Sequence, residues 1–182
     1  GKCLDLKKIL ESEKVRKVRD AKRMDQTYSN YYSEDYSFRS DWFGPITQEY
    51  IIPKYFSLLD SFINNKDAKL KILEIGAGDG EVTDYIRAKR PNWQVTPTEP
   101  LKAAVQSLKK KGYKDAALVD AVEIPFKDKS YDYVICFDVM HHLEGPAQMA
   151  YEITRVAKKG VFLIEANRAS VTRRLLEKTE KY

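Results

Sequence analysis

From Lys71 onward the chain alternates between short apolar runs and stretches with helical spacing. The runs are Ile72 to Ile75, a segment around Gln94-Val95-Thr96, Ala117 to Val119, Tyr131 to Phe137 and Gly160 to Glu165. Continuous apolar runs mark strands buried on both faces. Between them lie three helical segments: Val82 to a stop at Pro91, Leu101 to Lys111 with Gly112 as the stop signal, and Pro146 to Ala157. Strands alternating with helices of this length predict an open parallel α/β sheet with right-handed crossovers. Ligands of such sheets sit at the carboxyl ends of the strands.

The first 70 residues follow another pattern. Leu4, Leu6, Ile9, Leu10, Val15, Val18 and Met24 recur at loosely helical spacing, predicting an amphipathic helix over about residues 4–23. Tyr28 to Phe38 is polar and aromatic by turns, either a surface segment whose rings pack down or a cover over the site. Asp41 before Pro45 reads as a helix start, continued by apolar positions from Phe43 to Ile63, with Pro53 forcing a kink or a fresh start. Asn64 to Asp67 is the turn into the first strand. The expected division is residues 1–66, N-terminal helices and an aromatic lid, and residues 67–182, the ligand-binding core.

Composition narrows the class. The 43% hydrophobic and 12% aromatic content of 182 residues indicates a globular chain, and no apolar run approaches membrane-spanning length. A cytoplasmic protein is expected. Cys3 and Cys136 make neither a metal spacing nor a disulfide framework, and Cys136 reads as core. The net charge of +5 belongs to the flanks: residues 1–25 hold nine Lys/Arg against five Asp/Glu, and residues 168–182 five against two. Such flanks are either solvated helix faces or nucleic-acid contacts.

The candidate chemistry begins where the first strand breaks directly into Gly76, Gly78 and Gly80. Glycines allow a sharp turn and a close backbone approach to a ligand, and the following helix N-terminus offers free N–H groups. A dinucleotide fingerprint of the form G-x-G-x-x-G requires a third glycine where Glu81 stands, so spacing weakens that reading. The second strand ends at Glu99, either an acceptor for a ribose diol or a cap on the next helix. After the third strand come Asp120, Ala121, Ile124 and Phe126, an acidic group, a backbone donor and an apolar wall suited to adenine. After the fourth comes Phe137-Asp138-Val139-Met140-His141-His142.

The segment Glu74-x-Gly76-x-Gly78-x-Gly80, with Asp120-Ala121, Pro125-Phe126, Ser130-Tyr131-Asp132 and the His141-His142 pair, resembles class I S-adenosylmethionine-dependent methyltransferases. The likeness is to the small-molecule branch that includes ubiquinone and menaquinone biosynthesis enzymes, and it covers roughly residues 70–166. It implies a Rossmann-like sheet of order 3-2-1-4-5 and S-adenosylmethionine as cofactor. Carried over by position, it implies cofactor contacts at Glu74, Gly76, Gly78, Glu99, Asp120, Ala121 and Phe137, with Ala77, Pro100 and Val122 as their neighbours. Tyr131 stands where the family has Phe. The family's final two-strand hairpin has no counterpart among the 16 residues after Ala166, so the hairpin is expected to be missing or truncated.

A sulfonium methyl is already an activated electrophile, so alignment and exclusion of water are the main tasks expected of the protein. Tyr28, Tyr32, Tyr36, Trp42 and Met140 are the candidates for the cover and acceptor side. Either His141 or His142 is a candidate general base, the alternative being that they pack against or cap the following helix. No metal site is expected. The leading expectation is methyl transfer to a small molecule. An RNA methyltransferase using the basic flanks and a catalytically silent cofactor-binding module are the alternatives.

Overall fold

The computed structural model describes residues 46–143 and 146–165. The expected helix over residues 4–23, the aromatic segment with Tyr28, Tyr32, Tyr36 and Trp42, both basic flanks and the region of the hairpin lie outside them. A π-helical turn, Thr47–Ile51, leads into α1, Ile52–Phe62. Pro53 sits in the first turn of α1. Its ring conflicts with the carbonyl four residues back, and widening to a π turn just ahead of it relieves that conflict. The chain then runs β1 (Leu70–Ile75), α2 (Glu81–Lys89), β2 (Trp93–Glu99), α3 (Lys102–Lys110), β3 (Ala117–Leu118), β4 (Tyr131–Phe137), α4 (Pro146–Val156) and β5 (Ala157–Ile164).

All five strands are parallel, in the order β3-β2-β1-β4-β5. This is the expected Rossmann-like arrangement. Within the apolar run of β4, Tyr133, Ile135 and Phe137 pack on one face with Leu59 and Ile63 of the α1 end and Ile86 of α2. Val134 and Cys136 pack on the other with Met149, Ile153 and Val156 of α4. Helices therefore cover both faces, and Cys136 is core, as the sequence predicts.

One boundary differs from expectation. β5 begins at Ala157 rather than Gly160, directly after α4. Opposite it, Tyr131 pairs Ala157 and Tyr133 pairs Gly160, so three steps of β5 match two of β4. This bulge accommodates Lys158 and Lys159, which break the apolar run that strand prediction relies on.

Candidate active site at the carboxyl ends of the strands

β1 ends in a turn held by β2. Gly76 N–H and Ala77 N–H both donate to the Thr98 carbonyl at 3.0 Å, and the Thr98 hydroxyl donates to the Glu74 carbonyl at 2.6 Å. The three glycines serve different ends. A Cβ at Gly76 would lie 2.3 Å from a Val139 methyl, and one at Gly80 would lie 2.5 Å from the Tyr113 ring, whose hydroxyl donates to the Gly80 carbonyl at 2.9 Å. Among the described residues, a Cβ at Gly78 would meet no atom within 4 Å. Gly78 has φ +55°, and the turn bends its backbone toward open space rather than toward packing.

Glu99 ends β2 with its carboxyl against that turn. Gly78 N–H donates to Glu99 Oε1 at 2.5 Å, although the residue is only 5% exposed. Burial pushes the Glu99 carboxyl up to about 7, with the nearby Asp79 adding to the shift and the Gly78 bond opposing it. Glu74 lies deeper, 1% exposed, and accepts a hydrogen bond from the Thr83 hydroxyl of α2. Burial raises its carboxyl to about 7 as well. Its side chain links β1 to α2 beneath the turn. The Ala77 methyl faces Val105, Leu108 and Tyr113, and Pro100 is exposed at the start of the β2–α3 connection.

After β3 the chain forms a tight turn. Glu123 N–H donates to the Asp120 carbonyl and Val122 N–H to Asp120 Oδ1, each at 3.0 Å. Ala121 and Ile124 are buried, and Phe126 packs against their cluster. Arg155 of α4 fixes this loop, donating to the carbonyls of Ile124 and Phe126 at 2.8 Å and pairing with Asp128 and Glu152. Glu152 in turn accepts the Ile124 N–H at 2.8 Å.

β4 ends with Phe137, whose ring stacks on Tyr55 of α1 at 5.2 Å, on the face away from α4. Asp138 follows with φ +56°, a left-handed conformation that a non-glycine residue rarely adopts. The Tyr55 hydroxyl donates to Asp138 Oδ2 at 2.8 Å, and Oδ1 is buried without a hydrogen-bond partner among the described residues. Met140–His142 form a 3₁₀ turn. His141 is half-buried with Nδ1 at 2.8 Å from Glu165 Oε2, whereas His142 is exposed. One polar side-chain atom each of Asp138, His141 and Glu165 lies within 4.8 Å of the others, a grouping that chain spacing hides.

Sequence reasoning assigned no role to Asp138, Glu165, Tyr55 or Arg155. Glu165 carried a usable signal, an acidic residue closing an apolar run just as Glu99 does. A cavity of about 730 Å³, lined by Lys69, Arg87, Trp93, Gln94 and Lys114, opens at the other end of the strands. The glycine turn and β4 end do not contribute to it.

The turn offers a ligand two features, the space over Gly78 and the acceptor oxygens of Glu99. An adenosyl group has the hydroxyls to use such an acceptor. Comparison with known proteins agrees. Residues 73–164 match the family described as methyltransferase domain. Two ubiquinone biosynthesis O-methyltransferases are similar: that of Rickettsia felis, 29% identical over 71% of this chain and 52% of its own length, and that of Rickettsia canadensis, 27% over 80% and 61%. The chain thus spans roughly half to three fifths of these relatives. Among solved structures, the plantazolicin methyltransferase BpumL, crystallised with a pentazolic analog and SAH, aligns with TM-score 0.62 at 19% identity over 93% of this chain and 65% of its own. A sheet of order 3-2-1-4-5, a glycine turn at its centre and a match across about half the chain lead to one assignment: this chain belongs to the methyltransferase-domain family, within the class I S-adenosylmethionine-dependent methyltransferases.

Proposed function

We propose that the chain binds S-adenosylmethionine across the carboxyl ends of β1 to β4 and methylates a hydroxyl of a small molecule. The observation that carries this is Glu99, a nearly buried carboxyl at the end of β2 held against Gly78, beside the open space over that glycine. Glu99 accepts from the ribose diol. Gly76, Ala77 and Gly78 supply backbone close to the methionine part, and the Asp120–Val122 turn with Ile124 and Phe126 flanks the adenine. Glu74 supports the turn through Thr83. Phe137 positions the β4 end through Tyr55. When bound, the cofactor would supply an electrophilic sulfonium methyl to the acceptor oxygen, its sulfur keeping the electron pair of the C–S bond. The protein aligns the acceptor, excludes water and takes up the acceptor's proton.

The names of the relatives favour an O-methyl acceptor of small-molecule type. Met140, in the 3₁₀ turn after β4, is assigned to the acceptor side. No helix among the described residues is long and apolar enough to cross a membrane. Calorimetric titration with S-adenosylmethionine tests the core of this reading. Glu99→Ala is expected to weaken binding at least tenfold, and unchanged affinity in a folded variant would remove the ribose assignment. Turnover of phenolic or other hydroxylated small molecules separates the enzyme from a silent binding module.

A further inference from the structure

Parallel pairing aligns Phe137 of β4 with Ile164 of β5, so the residues after each strand emerge side by side. Glu165 comes from the β5 end and reaches under the turn that follows β4. Its Oε1 accepts the N–H groups of Val139 at 3.1 Å and Met140 at 2.7 Å. Its Oε2 accepts the His141 N–H at 3.3 Å and meets His141 Nδ1 at 2.8 Å. Burial alone would raise this carboxyl. The His141 bond and the Met140 N–H outweigh burial and hold it below the usual carboxylate range. An ionised carboxylate only accepts hydrogen bonds, so the proton in the contact belongs to Nδ1.

We propose that Glu165 is the positioning residue for His141: it holds the imidazole as the Nδ1–H tautomer and makes Nε2 the nitrogen that takes the proton from the methyl acceptor. This rests on the methyl-transfer reading above and selects His141 over His142 as the base. The acceptor's O–H bond breaks, its electron pair forms the new O–C bond, and the proton passes to Nε2, giving an imidazolium that the Glu165 charge stabilises. Among the described residues, His142, whose ring centroid is 4.0 Å away, and Asp138, which holds the Tyr55 hydroxyl, are further ionisable groups beside His141. Capping the 3₁₀ turn accounts for the three backbone bonds to Glu165. It does not account for the fourth, to the ring.

The chain contains two histidines, so nitrogen-15 NMR of the side chains resolves the question without knowledge of the acceptor. His142→Gln assigns the signals, recorded about two pH units above the ordinary imidazole pKa. The expected spectrum shows His141 with a protonated Nδ1 and a bare Nε2. In Glu165→Gln the amide N–H₂ faces Nδ1 and the proton should move to Nε2, whereas Glu165→Asp keeps the acceptor and the wild-type tautomer. A proton on Nε2 in the wild type, or an unchanged tautomer in Glu165→Gln, overturns the proposal. If both Glu165 variants fail to fold, the wild-type spectrum alone decides. Titrating the same wild-type sample with S-adenosylmethionine keeps the two readings apart. Binding with the wrong tautomer removes only the role of Glu165, and the right tautomer without binding removes only the methyl-transfer reading.

Discussion

The two halves of the strand-end rim are built by different means. Around β1 and β2 the site is mostly backbone: three glycines, paired N–H groups on the Thr98 carbonyl, and one carboxyl closing the turn. Around β4 and β5 it is side chains brought from distant stretches, with Asp138 held by Tyr55 of α1 and His141 by Glu165. A backbone cradle depends on local conformation and suits a ligand shared across a family. A side-chain cluster depends on strand register, and single substitutions can retune it.

The largest expected effect tests whether the glycine half is rigidly packed except over Gly78. Gly80→Ala drives a methyl into the Tyr113 ring at φ +84° and should cost about 2–4 kcal/mol in urea unfolding. Gly78→Ala carries only backbone strain, about 1 kcal/mol. Its main effect should be on cofactor affinity, at least tenfold by calorimetry. Equal stability losses at both glycines would erase the distinction between packing and ligand space.

Next in size is the brace between the halves. Arg155→Ala leaves the buried Glu152 without its cationic partner and removes the Arg155 bonds to the Ile124–Asp128 loop, for an expected loss of about 2–3 kcal/mol. A variant with wild-type unfolding would show that the loop holds itself.

The pH dependence separates the halves more finely. Glu74 and Glu99 have carboxyls raised by burial to about 7, so the stability they contribute is present below their ordinary pKa of 4.5 and declines as pH rises through about 7. Asp60, Asp132, Glu152 and Glu165 are held low, so their contribution is present above the ordinary carboxylate range and is lost on acidification. Melting temperature should therefore peak near about pH 5, and Glu99→Gln should flatten the decline on the alkaline side. Cofactor affinity should move the other way, rising through about pH 7, because in the proposed pose the ribose diol donates to the ionised Glu99. A constant difference in melting temperature between wild type and Glu99→Gln from acid to neutral pH would refute the buried-acid assignment.

The smallest effect belongs to Tyr55→Phe. It removes the hydroxyl from Asp138 and keeps the stack on Phe137, for a cost of about 1 kcal/mol in denaturant unfolding. A loss several times larger would mean that Asp138 depends on Tyr55 for its left-handed conformation.

The fold was readable because each strand announces itself locally. Ile72 to Ile75 and Tyr131 to Phe137 are mostly apolar, broken only by Glu74 and Asp132, and Pro91 and Gly112 stand at the helix ends. β5 was misplaced by three residues because Lys158 and Lys159 lie in a bulge, where the period-two rule lapses. Glu99 was readable as an acidic residue at a strand end. Its contact with the glycine turn was not.

The sequence by itself determined the strands and helices, the central glycine turn and the residues at each strand end, because these follow from backbone preference and burial pattern over a few neighbouring positions. Only the tertiary structure decided that, among the described residues, side chains pack over Gly76 and Gly80 but not over Gly78, and that Glu165 meets His141 across 24 residues of chain. Both depend on which surfaces are pressed together. The Val139 methyl sits on Gly76, the Tyr113 ring sits on Gly80, and the pairing of Phe137 with Ile164 sets one carboxylate beside one imidazole.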